Sequence, residues 1–530
     1  MLIPLQTAPR LAWRHGLPTP TPPAASLWEA LHLGDQHEPW LVFHVGAERH
    51  FRSRAQLIDH ALKWAASITP VPSGRVGVLL PNGEDFIGAF FAAQALGMVA
   101  VPLPWPAVDA EPERLRAALE PVVKRAQLDV LCTSDTFARI DWACPTLSPS
   151  RLIDARPIQL APGSAPAFIQ FTSGSTGDPR GAVISQQAAL VSATAMASAL
   201  ELGPRDVGVS WLPFFHDMGL VGVLLTSLVA RFPVHVMRPG DFLFRPRRWL
   251  ELVSSEQATL TVGPNFAYEL AARRVLADGL DLSSLRCALN GSEPVHRATI
   301  DRFTEKFAPA GFEPGALLPV YGLAEATLGV AFSRPGQRLR DLEHAGRTVP
   351  PAGTLLDGVE VCVCDEHGTP RAEGEEGEIH VRGPTVMNGY FEHPDATQLA
   401  MRDDWLRTGD LGVLRDGTLY VTGREKELVV QSGRKFHPYD IERVVADLVE
   451  ATPNGVAAVS RPGTPQQGEA LVVVVELRRA SGAIDPMHIK GELLARLGVR
   501  ADEVQYVPAG TLPRTTSGKV KRKQLAEVRG

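Results

Sequence analysis

Short apolar runs alternate with longer amphipathic stretches over most of this chain. Arg75–Leu80 (RVGVLL), closed by Pro81-Asn82-Gly83, has the pattern of a buried strand and its turn. Asp85–Leu96 follows with helical spacing, Gly97 stops it, and Val99–Leu103 is a second strand. A strand–helix–strand unit of this length predicts a parallel pair joined by a crossover helix. The theme continues with a helix over Glu111–Gln127 and a strand over Asp129–Cys132. Further strands are predicted at Gly208–Trp211, Val234–Met237, Thr259–Val262 and Cys287–Asn290, with helical stretches between them. The first large part of the chain is therefore α/β, built of layered sheets.

The pattern changes after about Pro351. Val359–Asp365 and Glu375–Arg382 alternate as strands, and Arg415-Asp416-Gly417 sits inside Leu414–Thr422 as a hairpin turn. From Glu425 onward the order is strand, helix, strand and helix, ending in a basic tail. The predicted organisation is a large N-terminal domain (1–424, its β-rich part about 352–424) and a small α+β C-terminal domain (425–530). Ala89–Val101 and Leu220–Ala230 are the longest apolar runs. Both are too short to span a bilayer and read as buried helix, so no integral membrane association is expected.

Composition narrows the class. At 530 residues the chain exceeds a single core, and 45% hydrophobic with 21% charged residues is ordinary for a globular protein. A net charge of −6 argues against nucleic-acid binding by bulk electrostatics. The N-terminus lacks a basic start followed by an apolar run, so no signal peptide is expected. Five cysteines without disulfide or zinc spacing suit a reducing cytoplasm. Cys362 and Cys364 alternate along a strand and should share a face as small apolar filler.

Five runs carry candidate chemistry. The loop Thr172-Ser173-Gly174-Ser175-Thr176-Gly177 gathers hydroxyls and glycines that can turn donors toward an anion; a flexible surface turn is the other reading. Tyr321-Gly322-Leu323-Ala324-Glu325 sets an aromatic ring, a close-approach glycine and a carboxylate within one turn. The ring can stack on a base and the carboxylate can ligate Mg²⁺, or they are a packed tyrosine and a solvated glutamate. Asp410, in Arg407-Thr408-Gly409-Asp410, can accept two ribose hydroxyls or close an Asx turn. Gly423-Arg424-Glu425-Lys426 is the fourth run. The fifth, Pro513–Arg522, carries Lys519 beside a glycine, where it can reach a phosphate as a point charge or belong to a basic tail.

In this order the five runs resemble the adenylate-forming superfamily, over roughly Leu27 to Arg522. Ser210–Leu220, containing His216-Asp217-Met218-Gly219-Leu220, is similar to the fatty acyl-AMP ligase branch, as are Glu325-Ala326-Thr327-Leu328 and Val101–Pro106. The resemblance implies a mobile small domain. It implies that a fatty or related carboxylate attacks ATP to give acyl-AMP and pyrophosphate. The acyl group then passes to a phosphopantetheine thiol, on an acyl carrier protein or on coenzyme A. It assigns Thr172, Ser173, Gly174, Ser175 and Thr176 to the phosphates. Tyr321 and Gly322, with Gly291, Ser292, Glu293 and Pro294, go to adenine. Asp410 and Arg424 go to ribose, Glu325 to Mg²⁺, Lys519 to the α-phosphate and carboxylate, and Lys426 to a hinge. His216 falls near the reacting carboxylate, or is a core histidine.

The chain departs from the family pattern at three places, the last of which bears on the acceptor. Arg180 replaces a usual lysine, and Gln186 stands where a histidine often follows. Gly329–Asp357 looks short for the insertion linked to poor use of coenzyme A. A catalytically dead binding homologue is the reading of another class; intact Lys519, Glu325, Asp410 and Arg424 argue against it.

Overall fold

The computed structural model describes residues 11–71, 74–106, 111–154, 157–163, 165–172, 179–431, 434–449, 451–462, 469–478, 483–514 and 520–527. Packing separates two compact units, one drawn from residues up to Val421 and one from Thr422 onward together with Gly409–Leu411.

In the first unit the smaller sheet has six strands. Arg75–Leu79 pairs in parallel with Val99–Pro102 and with Val130–Thr133, and the sheet ends in the antiparallel pair Phe168–Thr172 and Arg180–Ile184. The crossover helix is Glu84–Ala95, and every residue from Phe86 to Ala95 is buried. An apolar helix without a polar face must lie between layers. Phe90 meets Phe168 of this sheet at 6.2 Å, and Phe86 meets Phe214, beyond a strand of the larger sheet, at 5.5 Å.

The larger sheet holds fifteen strands among the described residues. Its parallel part runs Pro39–Val45, Val234–Met237, Gly208–Ser210, Leu260–Pro264, Cys287–Gly291 and Leu317–Leu323. Leu317–Leu323 changes the sheet's sense. Its first half pairs in parallel with Cys287–Gly291, and its second half pairs antiparallel with Leu328–Phe332 through a bulge at Tyr321/Gly322. The sheet then continues through Gly353–Leu355, Thr418–Arg424, Trp405–Arg415, Glu376–Arg382, Glu360–Cys364 and Trp13–His15. The β-rich stretch is thus hydrogen-bonded to the parallel strands, and it recruits an N-terminal strand that the sequence pattern does not announce. Its hairpin turn is the expected one: Asp416 and Gly417 have φ of 50° and 75°, which suits the strand twist.

Leu220–Ala230 departs from expectation. Met218–Leu225 forms a π-helix, and only Thr226–Ala230 is α-helical. The Thr226 hydroxyl donates to the Val221 carbonyl five residues back at 2.9 Å. Wide turns of this kind are rare and often occur at functional sites.

Two buried histidines face each other across the parallel strands. His44 Nε2 lies 3.0 Å from His235 Nδ1. Burial, with His235 beside it, holds His44 down at about 4, and burial also lowers His235. Unfolding lets both take up protons below their ordinary value. Their contribution is therefore complete above pH 6.5 and is lost as pH falls toward 4. Stability measured by denaturant unfolding should decline over that window, and His44→Gln should flatten the decline; an unchanged slope in the variant would assign the acid sensitivity elsewhere.

The second unit has its own core. Strands Ala451–Pro462, Glu469–Leu477 and Glu503–Pro508 form one sheet, and helices Pro438–Leu448 and Pro486–Leu497 supply Ile441, Val445, Ile489 and Leu493 against Val473 and Val475. Arg522 lies over the Tyr439 ring at 4.1 Å and pairs with Glu442 and Glu427.

Candidate active site

In open α/β sheets ligands gather beyond the carboxyl ends of parallel strands, where the connections diverge. Here that place is the paired ends of Cys287–Gly291 and Leu317–Leu323, with Asn290 opposite Pro319. Gly291, Ser292, Glu293 and Pro294 form the turn after the first strand. Ser292 holds a φ of 70°, and the Glu293 carboxylate accepts from the Phe266 N–H at the start of helix Asn265–Arg274. That bond already fixes one oxygen of Glu293. Asn290 is fully buried, and its Oδ1 has no hydrogen-bond partner among the described residues. An orphaned buried acceptor costs about 1–3 kcal/mol unless something donates to it.

Tyr321 lies within the second strand, not after it, and is largely buried. A Cβ on Gly322 would fall 1.6 Å from the Leu328 carbonyl oxygen, so only glycine lets the chain return there. Glu325 occupies a single 3₁₀ turn, Ala324–Ala326. Thr327 and Leu328 follow with φ of 49° and 80°, a strained pair for a β-branched and a bulky residue. Hydrogen bonds hold the strain in place: Ser192 Oγ donates to the Thr327 carbonyl at 2.6 Å, and Thr327 Oγ1 donates to the Thr385 carbonyl.

The Glu325 carboxylate is aimed by a residue that sequence reasoning missed. Tyr390 Oη donates to Glu325 Oε1 at 2.8 Å, and the Met387 N–H donates to the Glu325 carbonyl at 2.8 Å. Burial first, and then Glu325, push the Tyr390 phenol well above its ordinary value, so it stays a donor. Tyr390 bridges to Ala182 at the edge of the smaller sheet, and the Arg180 guanidinium lies 5.6 Å from its ring. Arg180 Nε is buried without a hydrogen-bond partner among the described residues. Arg180 and Thr172 face each other across the strands that lead into and out of the glycine-rich loop. Ser173, Gly174, Ser175 and Thr176 lie outside the described residues.

His216 joins this neighbourhood through backbone ties. Gln170 Nε2, on the strand entering the loop, donates to the Phe215 carbonyl at 2.9 Å. The half-buried His216 ring places Nδ1 2.6 Å from Asp217 Oδ1, which orients the imidazole and leaves Nε2 for another partner. Gln170 Oε1 and Trp211 Nε1 are further buried polar atoms without partners among the described residues. Gln186 is structural: its side chain accepts from the Leu27 N–H and donates to Gln94.

In the second unit, Arg424 Nε donates to Asp410 Oδ1 at 2.8 Å. Lys426 sits in an exposed 3₁₀ turn, Glu425–Glu427. Lys519 lies outside the described residues. Among the described residues on either side, Arg514 and Val520 form an antiparallel bridge, and the Lys521 N–H donates to the Pro513 carbonyl at 2.8 Å.

Among the described residues no group of three or more His, Cys, Asp or Glu side chains could hold a metal ion by itself. Glu325 nonetheless fits Mg²⁺. It presents a hard oxygen, its Oε2 accepts nothing from the described residues, and Mg²⁺ is commonly held by one carboxylate plus substrate phosphates and water. No helix among the described residues is long and apolar enough to cross a membrane.

Known proteins resemble this chain over most of its length. A long-chain-fatty-acid–AMP ligase, FadD26 of Mycobacterium marinum, is 35% identical over 86% of this chain and 87% of its own length. A medium-chain-fatty-acid–[acyl-carrier-protein] ligase, JamA of Moorena producens, is 32% identical over 84% of each chain. A solved structure from work on fatty acyl-adenylate ligases of E. coli and L. pneumophila superposes with a TM-score of 0.85 at 30% identity, covering 98% of both chains. The model of AMP-binding enzymes matches residues 39–391, which include the junction strand, Glu325 and Tyr390. The chain belongs to the AMP-binding enzyme family.

Proposed function

We propose that this protein joins a fatty or related carboxylic acid to AMP and passes the acyl group to the phosphopantetheine thiol of an acyl carrier protein. A carboxylate oxygen attacks the α-phosphorus of ATP, the bond to the pyrophosphate oxygen breaks, and acyl-AMP remains. No covalent enzyme intermediate is required, so the protein's work is positioning and charge stabilisation. The observation that carries this reading is the Glu325 carboxylate, held by Tyr390 and a strained turn at the strand junction, with one oxygen open.

The remaining roles follow from the same reading. Tyr321 and Gly322 border adenine with the Gly291–Pro294 turn. Asp410 and Arg424, already paired, hold the ribose. Thr172–Thr176 takes the β- and γ-phosphates, and Lys519 the α-phosphate and the attacking carboxylate. Mg²⁺ at Glu325 supplies charge neutralisation for the phosphates. His216, with Nδ1 fixed on Asp217, offers Nε2 to the carboxylate. The acyl chain runs along one face of the apolar π-helix Met218–Leu225. ATP and a free thiol acceptor suit a cytoplasmic protein.

Incubation with ATP, Mg²⁺ and a panel of fatty acids, followed by mass spectrometry, tests the proposal. Acyl-AMP should accumulate, and acyl-carrier product should appear when a phosphopantetheinylated carrier is added. No acyl-AMP with any acid would leave only a binding role. Coenzyme A is the second acceptor reading. Between Phe332 and Gly353 the structure holds a single short hairpin, Leu342–His344 with Arg347–Val349, where an insertion disfavouring coenzyme A would stand. Acyl-CoA exceeding acyl-carrier product would decide for it.

Two variants probe the parts. Tyr390→Phe removes the bond to Glu325 and keeps the ring. A hydrogen bond to a charged group contributes about 1.5–3 kcal/mol, so the Mg²⁺ concentration giving half-maximal adenylation should rise by about tenfold or more. An unchanged Mg²⁺ dependence would make the contact incidental. Lys426→Pro fixes φ at the proposed hinge and should slow thiol transfer on the order of tenfold more than adenylation. Equal slowing of both half-reactions, measured in single turnovers, would count against a hinge.

A further inference from the structure

Cys362 and Cys364 are not apolar filler. They project from one face of Glu360–Cys364 with their sulfurs 3.4 Å apart, Cys364 donating. The register of the neighbouring strand sets His380 directly opposite Cys362 and Glu378 opposite Cys364. His380 Nε2 lies 3.1 Å from Glu378 Oε2, and Arg407 donates to that same oxygen through Nε and Nη2 at 3.1 and 2.8 Å. The opposite face of these strands carries Val361, Val363, Ile379 and Val381 into the core, so the polar face is a separate built cluster. Cys362, Cys364, Glu378 and His380 are buried, and Arg407 is exposed at the cluster's edge. On its other side the cysteine strand pairs with the three-residue edge strand Trp13–His15, with Trp13 opposite Cys362 and itself 38% exposed, while Pro370 bridges to Cys364.

The charges of the cluster belong together. Burial would lower His380, but Cys364 and Glu378 hold it up at about 9. Burial would raise Glu378, but His380 and Arg407 hold it at about 2. The hydrogen bond from Cys364 lowers the Cys362 thiol, and the same bond with burial raises Cys364. The two thiols are thus set apart, Cys362 lowered and Cys364 raised, with His380 hydrogen-bonded to Cys364. That is the arrangement of an attacking and a resolving cysteine. The other three thiols lack it: burial pushes Cys132 and Cys287 up, and the partly buried Cys144 up to about 11.

We propose that Cys362 and Cys364 form a dithiol site that a hydroperoxide converts reversibly to a disulfide, independently of the adenylating chemistry. The Cys362 thiolate attacks one peroxide oxygen, an S–O bond forms and the O–O bond breaks. The departing hydroxide takes the His380 proton and leaves as water. The Cys364 sulfur then attacks the Cys362 sulfenic sulfur, the S–S bond forms, and the S–O oxygen leaves as water with the Cys364 proton. Two thiols lose two electrons and one hydrogen peroxide becomes two waters. Two residues of extended strand span about 6.6 Å, near the upper limit a disulfide bridges, so closure draws the strand together and a small dithiol reopens it.

The test uses the intact protein and hydrogen peroxide, with peptide mass spectrometry over time. The peptide containing 362–364 should lose 2 Da at least tenfold faster than Cys144 gains oxygen, and dithiothreitol should restore it. In Cys364→Ser, oxidation should stop at a sulfenic acid on residue 362 that dimedone traps. His380→Gln should slow wild-type bridge formation about tenfold while ATP–pyrophosphate exchange is unchanged. In urea all five thiols should react at similar rates. Faster oxidation of Cys144 in the folded protein, or the same order of reactivity folded and unfolded, overturns the proposal.

Discussion

Replacing Lys519 with alanine is expected to cut acyl-AMP formation by about 100- to 1000-fold while ATP still binds. In the proposed reaction the attacking carboxylate and the α-phosphate are both anionic, and their approach is the electrostatic obstacle. A single cation at that point is worth about 3–4 kcal/mol in a site shielded from water. The described residues on either side of Lys519 are anchored. Arg514 bridges Val520, Arg514 also pairs with Glu476 at 2.7 Å, and Glu476 accepts from the Leu512 N–H. Both ends of the segment are therefore tied to the three-stranded sheet. Pyrophosphate release in single turnovers, with nucleotide binding measured separately, checks the prediction. Lys519→Arg should recover part of the rate, because charge returns with a different shape. Near-normal pyrophosphate release from the alanine variant would refute the role.

Where local chemistry decides the structure, the sequence was a good guide. The unit from Arg75 to Leu103 folds as its rhythm predicts, because a parallel pair needs a crossover and Gly97, at φ 66°, can end the helix. Asp416-Gly417 predicts its hairpin because few residues accept two positive φ values in succession. The π-helix was not legible, since Met218–Leu225 is apolar throughout and shows no period to measure. Nor was the change of sense within Leu317–Leu323, which depends on partners some thirty residues behind and a few ahead. Tyr390 was missed for the same reason. Its bond to Glu325 spans 65 residues, and the only local hint was Asn388-Gly389 before it, where Gly389 has a φ of 133°. The cysteine pair shows the opposite error. Alternation placed both on one face correctly, but the polar partners come from the next strand, and no single-strand pattern contains them.

Glu325→Gln should lower adenylation by about 100-fold or more at ordinary Mg²⁺ and be only partly relieved by excess cation. The substitution keeps the size and the acceptor that Tyr390 uses, so the strained turn at Thr327 and Leu328 should persist. What it removes is the negative charge on the open oxygen. A hard cation held by this carboxylate and by substrate phosphates loses the charge Glu325 supplies in this way. The Mg²⁺ titration should therefore shift further than in Tyr390→Phe, where the charge remains and only its aim is loosened. That ordering separates a metal-holding carboxylate from a structural one. A structural Glu325 would make both variants lose stability in denaturant unfolding and leave the Mg²⁺ dependence of pyrophosphate release as it was. A metal-holding Glu325 makes the glutamine variant nearly as stable as the parent, since the carboxylate it replaces has one unsatisfied oxygen, and moves the Mg²⁺ dependence alone.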